Sequence, residues 1–383
     1  MIQGLRFDPV ELPEGSRELR AEVRAFLAEE FSSGTLAVQD GESSRFNREF
    51  SRKLGQRGWL GMMWPKEYGG HERSALDRYV VNEELLIAGA PTTAHFVGDR
   101  QSGPLLLRFG TEEQRQKLLP PITRGELTFC IGMSEPNSGS DLASVQTSAE
   151  KVDGGWLVNG TKLWTSWAHR AHYMITLVRS TPLAENRHLG LSQLLIDLSL
   201  PNIEIRPIYN LRGSHDFNEI VFTDCLVPDD MLVGEEGNGW AQVTSELGYE
   251  RSGPERFLST FGLYVELVRA IGPDPAPHEA AAIGRLAAHL ITLRSMSISV
   301  AGMLQAGQLL NVQAAVVKDL GTHFEREISE IARLLVPAEP SRDSDNRYER
   351  ALANALLVAP QLTIQGGTRE ILRVVIARGI GLQ

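Results

Sequence analysis

Three short stretches of this 383-residue chain gather residue types that can do chemistry. The first is Gly132-Met133-Ser134-Glu135-Pro136-Asn137-Ser138-Gly139-Ser140-Asp141, a turn that presents hydroxyls and backbone N–H groups together. It suits a phosphate or the carbonyl edge of a flat heterocycle, and it equally suits a surface β-turn. The second is Lys162-Leu163-Trp164-Thr165-Ser166-Trp167, which follows the turn Asn159-Gly160. Its two indoles flank hydroxyl groups, as ordinary core packing would have them, or as an aromatic face and a donor set against a planar cofactor. The third is Thr363-Ile364-Gln365-Gly366-Gly367-Thr368-Arg369-Glu370-Ile371, where a glycine pair precedes the last expected helix. Glycine pairs permit close backbone approach to a ligand and a helix N-terminus favours negative charge, although a plain loop capped by Thr368 reads the same way.

Three segments of different period would position these stretches. From Ser16 to about Leu127 the pattern is helical, with Leu19, Val23, Phe26 and Leu27 on one apolar stripe. Residues 58–70, GWLGMMWPKEYGG, fit neither period and read as a packed loop. From about Phe129 to Asn238 the period becomes two. Glu150-Lys151-Val152 and Trp156-Leu157-Val158 around Asp153-Gly154-Gly155 carry the hairpin signature, and further strands are expected at 173–178, 191–198, 203–207 and 219–222. From about Gly239 helical spacing returns. Gln313, Val316, Leu320, Phe324, Ile328, Ile331 and Leu335 step by three or four residues, as on a bundle helix, and the acidic, proline-bearing residues 337–346 read as a loop. The predicted class is α+β: an α-helical domain over 1–128, an antiparallel β domain over 129–238 and a four-helix-bundle domain over 239–383.

Composition narrows the chemistry. With 38 basic against 48 acidic residues the chain carries a formal charge of −10, which argues against broad binding to nucleic acid or anionic membranes. Two cysteines, Cys130 and Cys225, suggest a reducing compartment and buried thiols, and nothing with metal-ligand spacing accompanies them. Neither GxxxxGK[ST] nor GxGxxG occurs, which disfavours a nicotinamide-binding doubly wound fold. The N-terminus lacks the basic and apolar regions of a signal peptide, and residues 286–310 are interrupted by His289, Arg294, Gln305 and Gln308, too polar for a membrane span. A soluble cytoplasmic protein is expected.

The order and spacing of the three stretches resemble the acyl-CoA dehydrogenase family. Its TEPGAGSD loop is matched by Ser134-Glu135-Pro136-Asn137-Ser138-Gly139-Ser140-Asp141, and its KxWIT by Lys162-Leu163-Trp164-Thr165-Ser166. Its RGSxxxEVxFxDVxVP is matched by Arg212-Gly213-Ser214, Glu219-Ile220-Val221-Phe222, Asp224 and Val227-Pro228. Gly234-Glu235-Glu236-Gly237-Asn238-Gly239-Trp240 fits its GEEGxGF/W turn, and Gly367-Thr368, Glu370-Ile371, Arg373 and Ile376-Ala377-Arg378 fit its C-terminal EGTxEIxRxxIAR. The resemblance implies FAD as cofactor, an acyl-CoA thioester as substrate and an electron-transfer flavoprotein or equivalent acceptor. It implies that Ile131, Met133, Ser134, Gly139 and Ser140 line the flavin, with Ser134 on its pyrimidine side. Trp164 and Ser166 would cover the N5 edge, Gly367 and Thr368 would keep the flavin-side turn, and Ser140 would also meet coenzyme A.

The family's usual base is the glutamate of EGT, and Gly366 stands there in this chain. A second placement in the family lies on the first long helix after the β domain, and it matches Glu250, with Arg251 as the neighbouring substrate-side arginine. Gly366 would still offer its backbone N–H to the thioester oxygen. Glu246 and Glu370 are weaker contenders, and a plain solvated Glu250 paired with Arg251 or Arg256 is the alternative. The segments RxxFG and QxxGGxG, which hold the FAD adenosine half across a subunit interface in the family, have no counterpart in 273–289 or 337–360. A GGTxEI ending with a helix glutamate resembles bacterial members that pair with a second, different subunit and act on bulky acyl chains such as steroid side chains. A homo- or hetero-tetramer is implied. Two other readings stand beside the dehydrogenase: a non-catalytic partner subunit, and a flavin oxidase of the same fold.

Overall fold

A computed structural model of the chain describes residues 5–34, 36, 45–183, 185–308 and 310–382, and at 247–250 the backbone alone. It begins with helices α1 (Ser16–Ser32), α2 (Arg48–Gln56) and α3 (Ala75–Ile87). Next come α4 (Thr93–Val97), a π-helical turn at Gly98–Ser102, α5 (Gly103–Phe109) and α6 (Glu112–Thr123). The strands follow as β1 (Phe129–Gly132), β2 (Ser148–Val152), β3 (Gly155–Ser166), β4 (Tyr173–Arg179), β5 (Leu191–Asp197), β6 (Ile203–Ile208) and β7 (Phe217–Pro228). Then come α7 (Gly239–Glu250), α8 (Phe261–Ile271), α9 (Pro277–Gln305), α10 (Asn311–Leu335), α11 (Arg347–Leu362) and α12 (Arg369–Gly379). These group into two compact units, one from Met1–Asp40, Ser74–Ala90 and Gly248–Gln383, the other from Gly41–Arg73 and Pro91–Leu247.

The strand-bearing unit is built on one mixed sheet. β2–β3, β3–β7, β6–β7 and β4–β5 pair antiparallel, and β1 runs parallel to β4 with Phe129 opposite Tyr173. The hairpin is where the sequence places it, but its turn is the two residues Asp153 and Gly154, with Gly154 at φ +79°, and Gly155 joins the strand opposite Val152. One face buries Trp156, Val158, Met174, Ile196, Ile220 and Phe222 together with both cysteines, which are free thiols. The irregular 58–70 stretch is packed as expected: Trp59, Leu60, Met62 and Trp64 are buried, and Gly61 N donates to Asp99 Oδ1 of the π-helical turn at 2.7 Å.

In the helical unit, α1 buries Leu19, Val23, Phe26 and Leu27, the stripe its spacing predicts. Helices α8 to α11 form a bundle around Leu263, Leu267, Leu286, Leu293, Phe324, Ile328 and Leu352. On α10 the expected apolar line is shifted. Leu320 is 46% exposed, while Lys318 and Glu325 are buried on the packed face. Two ionisable side chains in the core are invisible to a hydrophobic period, because the period records polarity and not partners. Among the described residues, α9 is the one helix long and apolar enough by composition to cross a membrane, contrary to the expectation for residues 286–310. Its Leu286 and Leu293 are instead buried in the bundle core.

Candidate active site

β1 ends at Gly132, where an added Cβ would stand 2.9 Å from Met174 Sδ, and the chain then turns through the serine-rich stretch. Glu135 N donates to Ser138 O at 2.8 Å and Ser138 N returns a bond to Glu135 O at 3.1 Å, which closes the turn. Leu163 N donates to Ser134 O at 2.8 Å and so ties the turn to β3. Beneath it the fully buried Lys162 donates from Nζ to Met133 O at 3.1 Å and to Glu135 Oε1 at 2.8 Å. The same carboxylate accepts from Gln146 N at 2.6 Å and Thr147 N at 2.8 Å. Burial pushes the Lys162 ammonium down to about 8 against the pull of Glu135. Burial alone would raise the Glu135 carboxyl, but the Lys162 charge and these donors hold it below the usual carboxylate range. The pair is a staple under the turn.

Above that staple the sheet displays an aromatic ring. The β3–β7 register shifts between Lys162 and Thr165, and within the shift Trp164 takes the left-handed conformation at φ +61°. A bulge re-aims one side chain of a strand, and here it leaves the Trp164 indole 56% exposed, edge-on to Phe217 at 6.0 Å. A bulky residue held at positive φ is a strained arrangement. Trp167 has the opposite fate: it is buried with Phe46 and Ala94, the Phe46 ring lying 5.5 Å away. Ser140, Gly139 and Ser166 are exposed and Ser134 is half-buried. Ile131 lies in β1 opposite Ile175, and Met133 packs against Val145, Leu177 and Leu191. An open indole face beside hydroxyls and exposed loop backbone fits a planar heterocycle with polar edges.

In the helical unit the glycine pair joins α11 to α12. Gly366 has φ +67° and Gly367 φ +103°, a region glycine enters at little cost, and Thr368 caps α12 by accepting from Ile371 N at 3.4 Å. Two buried cations hold the pair by its carbonyls: Arg251 Nε donates to Gly366 O at 3.2 Å, and Lys318 Nζ to Gly367 O at 3.0 Å. A Cβ on Gly367 would come within 3.1 Å of the Arg251 guanidinium. Among the described residues, neither the Gly366 N–H nor the Gly367 N–H has an acceptor. Arg369 Nε donates to Asp319 Oδ1 at 2.8 Å and ties α12 back to α10.

The contenders for a base separate. Glu370 is exposed, and hydrogen bonds from its own backbone N–H and the Thr368 hydroxyl hold its carboxyl below the usual range, as expected of a first-turn structural carboxylate. Glu246 is buried and accepts from Gln193 Nε2 of β5 at 3.0 Å. Glu250 ends α7, and its side chain lies outside the described residues. Arg251, read as a substrate-side residue, is buried against the glycine turn. Nothing in the sequence motifs singles out Lys318. Its one signal was a charge falling at helical spacing among apolar residues of α10.

Three family models match the chain in order: acyl-CoA dehydrogenase N-terminal domain over residues 13–126, middle domain over 130–225 and C-terminal domain over 269–381. Acyl-CoA dehydrogenase IpdE1 of Mycobacterium tuberculosis is 33% identical over 381 residues, covering 95% of this chain and 97% of its own. Among solved structures, the steroid ACAD Tcur3481-Tcur3483 aligns at TM-score 0.83 and 29% identity, over 97% of this chain and 99% of that one. The ChsE4-ChsE5 complex from Mycobacterium tuberculosis aligns at TM-score 0.84 and 29% identity, over 98% of this chain and 100% of that one.

Proposed function

This chain belongs to the acyl-CoA dehydrogenase family of oxidoreductases, and from that premise we propose that it dehydrogenates the Cα–Cβ bond of an acyl-CoA thioester with Glu250 as the base. The observation that carries the reading is the 3.2 Å bond from Arg251 Nε to Gly366 O. Arg251 follows Glu250 directly, and consecutive Cα atoms lie about 3.8 Å apart. The end of α7 is therefore within an arginine's reach of the turn that lacks the family's carboxylate. A glutamate there supplies from a helix end the carboxylate that the glycine turn lacks.

The chemistry asks two things of the protein. A thioester α-proton is a weak acid, so its base gains from burial, and the oxygen that becomes an enolate needs donors. Glu250 takes the α-proton and becomes a carboxylic acid, while the Gly366 N–H donates to the thioester oxygen. When bound, FAD supplies the acceptor for the hydride that leaves Cβ. In the strand-bearing unit Ser134, Ser140, Trp164 and Ser166 would hold that cofactor, and an electron-transfer flavoprotein would be the acceptor partner. The product is the 2-enoyl-CoA.

The reading extends to a bulky acyl group and a second, different subunit. It is supported by the two-chain structural relatives, one of them a steroid ACAD, and by the loss of a side chain at 366. The test is anaerobic mixing of the purified yellow protein, alone and with a co-expressed partner, with straight-chain and steroid-side-chain CoA thioesters. Bleaching of the flavin is expected, and Glu250→Gln should slow it about 1000-fold. Undiminished bleaching in that variant would sink the assignment of the base, and rapid reoxidation by oxygen with release of peroxide would mark an oxidase.

A further inference from the structure

We propose that Lys318 is a positioning residue for this site, holding the Gly366–Gly367 turn, through the Gly367 carbonyl, in the conformation that leaves its N–H groups able to donate. The inference rests on the reading of Gly366 as donor to the thioester oxygen.

A glycine pair is the least constrained dipeptide a chain can have, since each residue populates positive and negative φ with similar ease. A glutamate at 366 would narrow that choice by its own Cβ, and this chain lacks it. The constraint comes from outside the turn. Because a trans peptide is planar, fixing a carbonyl fixes the N–H on the far side of the same plane. Arg251 on Gly366 O fixes one plane and Lys318 on Gly367 O fixes the next, at 3.2 and 3.0 Å. Two successive planes held in this way leave φ and ψ of Gly367 no room to flip and fix the Cα of Gly366, while Gln365 N donates to Gln361 O at 3.1 Å, so the Gly366 N–H is bounded by held atoms on both sides. Both cations are buried, so water competes little for these carbonyls, and charged donors make the stronger hydrogen bonds. Lys318 projects from the packed face of α10, a helix of the bundle core, which makes the anchor rigid. Arg251 lies next to the proposed base. Lys318 is 49 residues from the carbonyl it holds and reaches it from a different helix.

The test uses the flavin-loaded protein and two exchange measurements on Lys318→Met and Lys318→Arg. Amide hydrogen exchange of residues 363–372, read by mass spectrometry, reports the clamp itself. Lys318→Met should speed it about tenfold or more while the rest of α10 and α12 keeps its protection. Exchange of the α-protons of 3-thiaoctanoyl-CoA into heavy water reports enolisation with no dehydrogenation. Lys318→Met should slow it on the order of 10- to 100-fold with affinity within about threefold, and Lys318→Arg should restore part of it. Unchanged amide exchange, or loosening spread over all of α10 to α12, would overturn the clamp. A loosened turn with unchanged α-proton exchange would overturn its role in the reaction. If the wild-type protein exchanges the α-protons of neither this thioester nor a steroid-side-chain CoA thioester, the proposed function fails on its own, and the amide measurement still decides whether Lys318 holds the turn.

Discussion

Lys162 and Lys318 are both fully buried beneath a polar turn and each holds a backbone carbonyl, yet Lys162 also meets a carboxylate supplied by the turn it supports. In the strand-bearing unit the turn carries its own shape: Glu135 meets the ammonium and gathers Gln146 N and Thr147 N, and Ser138 closes onto Glu135. In the helical unit the turn has no side chain at 366 or 367, and its shape is imposed by Arg251 and Lys318. A turn that keeps its side chains stores its conformation locally. One that has lost them depends on distant helices.

Breaking the first arrangement should cost most. Lys162→Met leaves the Glu135 carboxylate buried without its ion partner, for about 3 to 5 kcal/mol of stability measured by denaturant midpoint, and Lys162→Met/Glu135→Gln should recover much of it. A second contrast lies in the two buried glutamates, which shift in opposite directions. Glu135 is held low, whereas burial pushes Glu325 up to about 7, with Ser259 N and the nearby Arg256 and Lys318 charges opposing. The folded state then binds the Glu325 proton more tightly than the unfolded chain does. Stability should fall as pH rises from about 4.3, the unfolded value, through 7. Glu325→Gln keeps an acceptor for Ser259 N, so it should match the wild type at pH near 4 and be more stable by about 3 to 4 kcal/mol at pH near 8, read from unfolding curves at both. The smallest effects compare two glycines. Gly367→Ala must place a Cβ at φ +103° and 3.1 Å from Arg251, for about 1 to 2 kcal/mol, whereas Gly139→Ala meets nothing within 4 Å and should stay within about 0.5 kcal/mol.

Much of this was legible before the structure. The α1 stripe, the hairpin around Gly154 to within one residue and the packed 58–70 loop follow from period and turn chemistry, and the buried cysteines from cysteine usage. In the serine-rich turn and the glycine pair, residue type alone points to places where backbone could meet a ligand. What the pattern could not do was separate Trp164 from Trp167, since both sit in one strand-like run and a register shift, not composition, exposes the first. Lys318 and Glu325 escape the pattern for a related reason. A buried charge looks like an outward-facing residue until its partners are known, and the carbonyl that Lys318 holds belongs to a segment 49 residues away.

The bulge at Trp164 has an optical consequence. Of six tryptophans, Trp59, Trp64, Trp156 and Trp167 are buried, Trp240 is half-buried and stacked on His188, and Trp164 alone is exposed. A water-soluble quencher such as iodide therefore meets one fluorophore far more readily than the other five. The emission it removes comes from the ring that this reading sets beside the cofactor, so loading of the site can be followed by light with no label added.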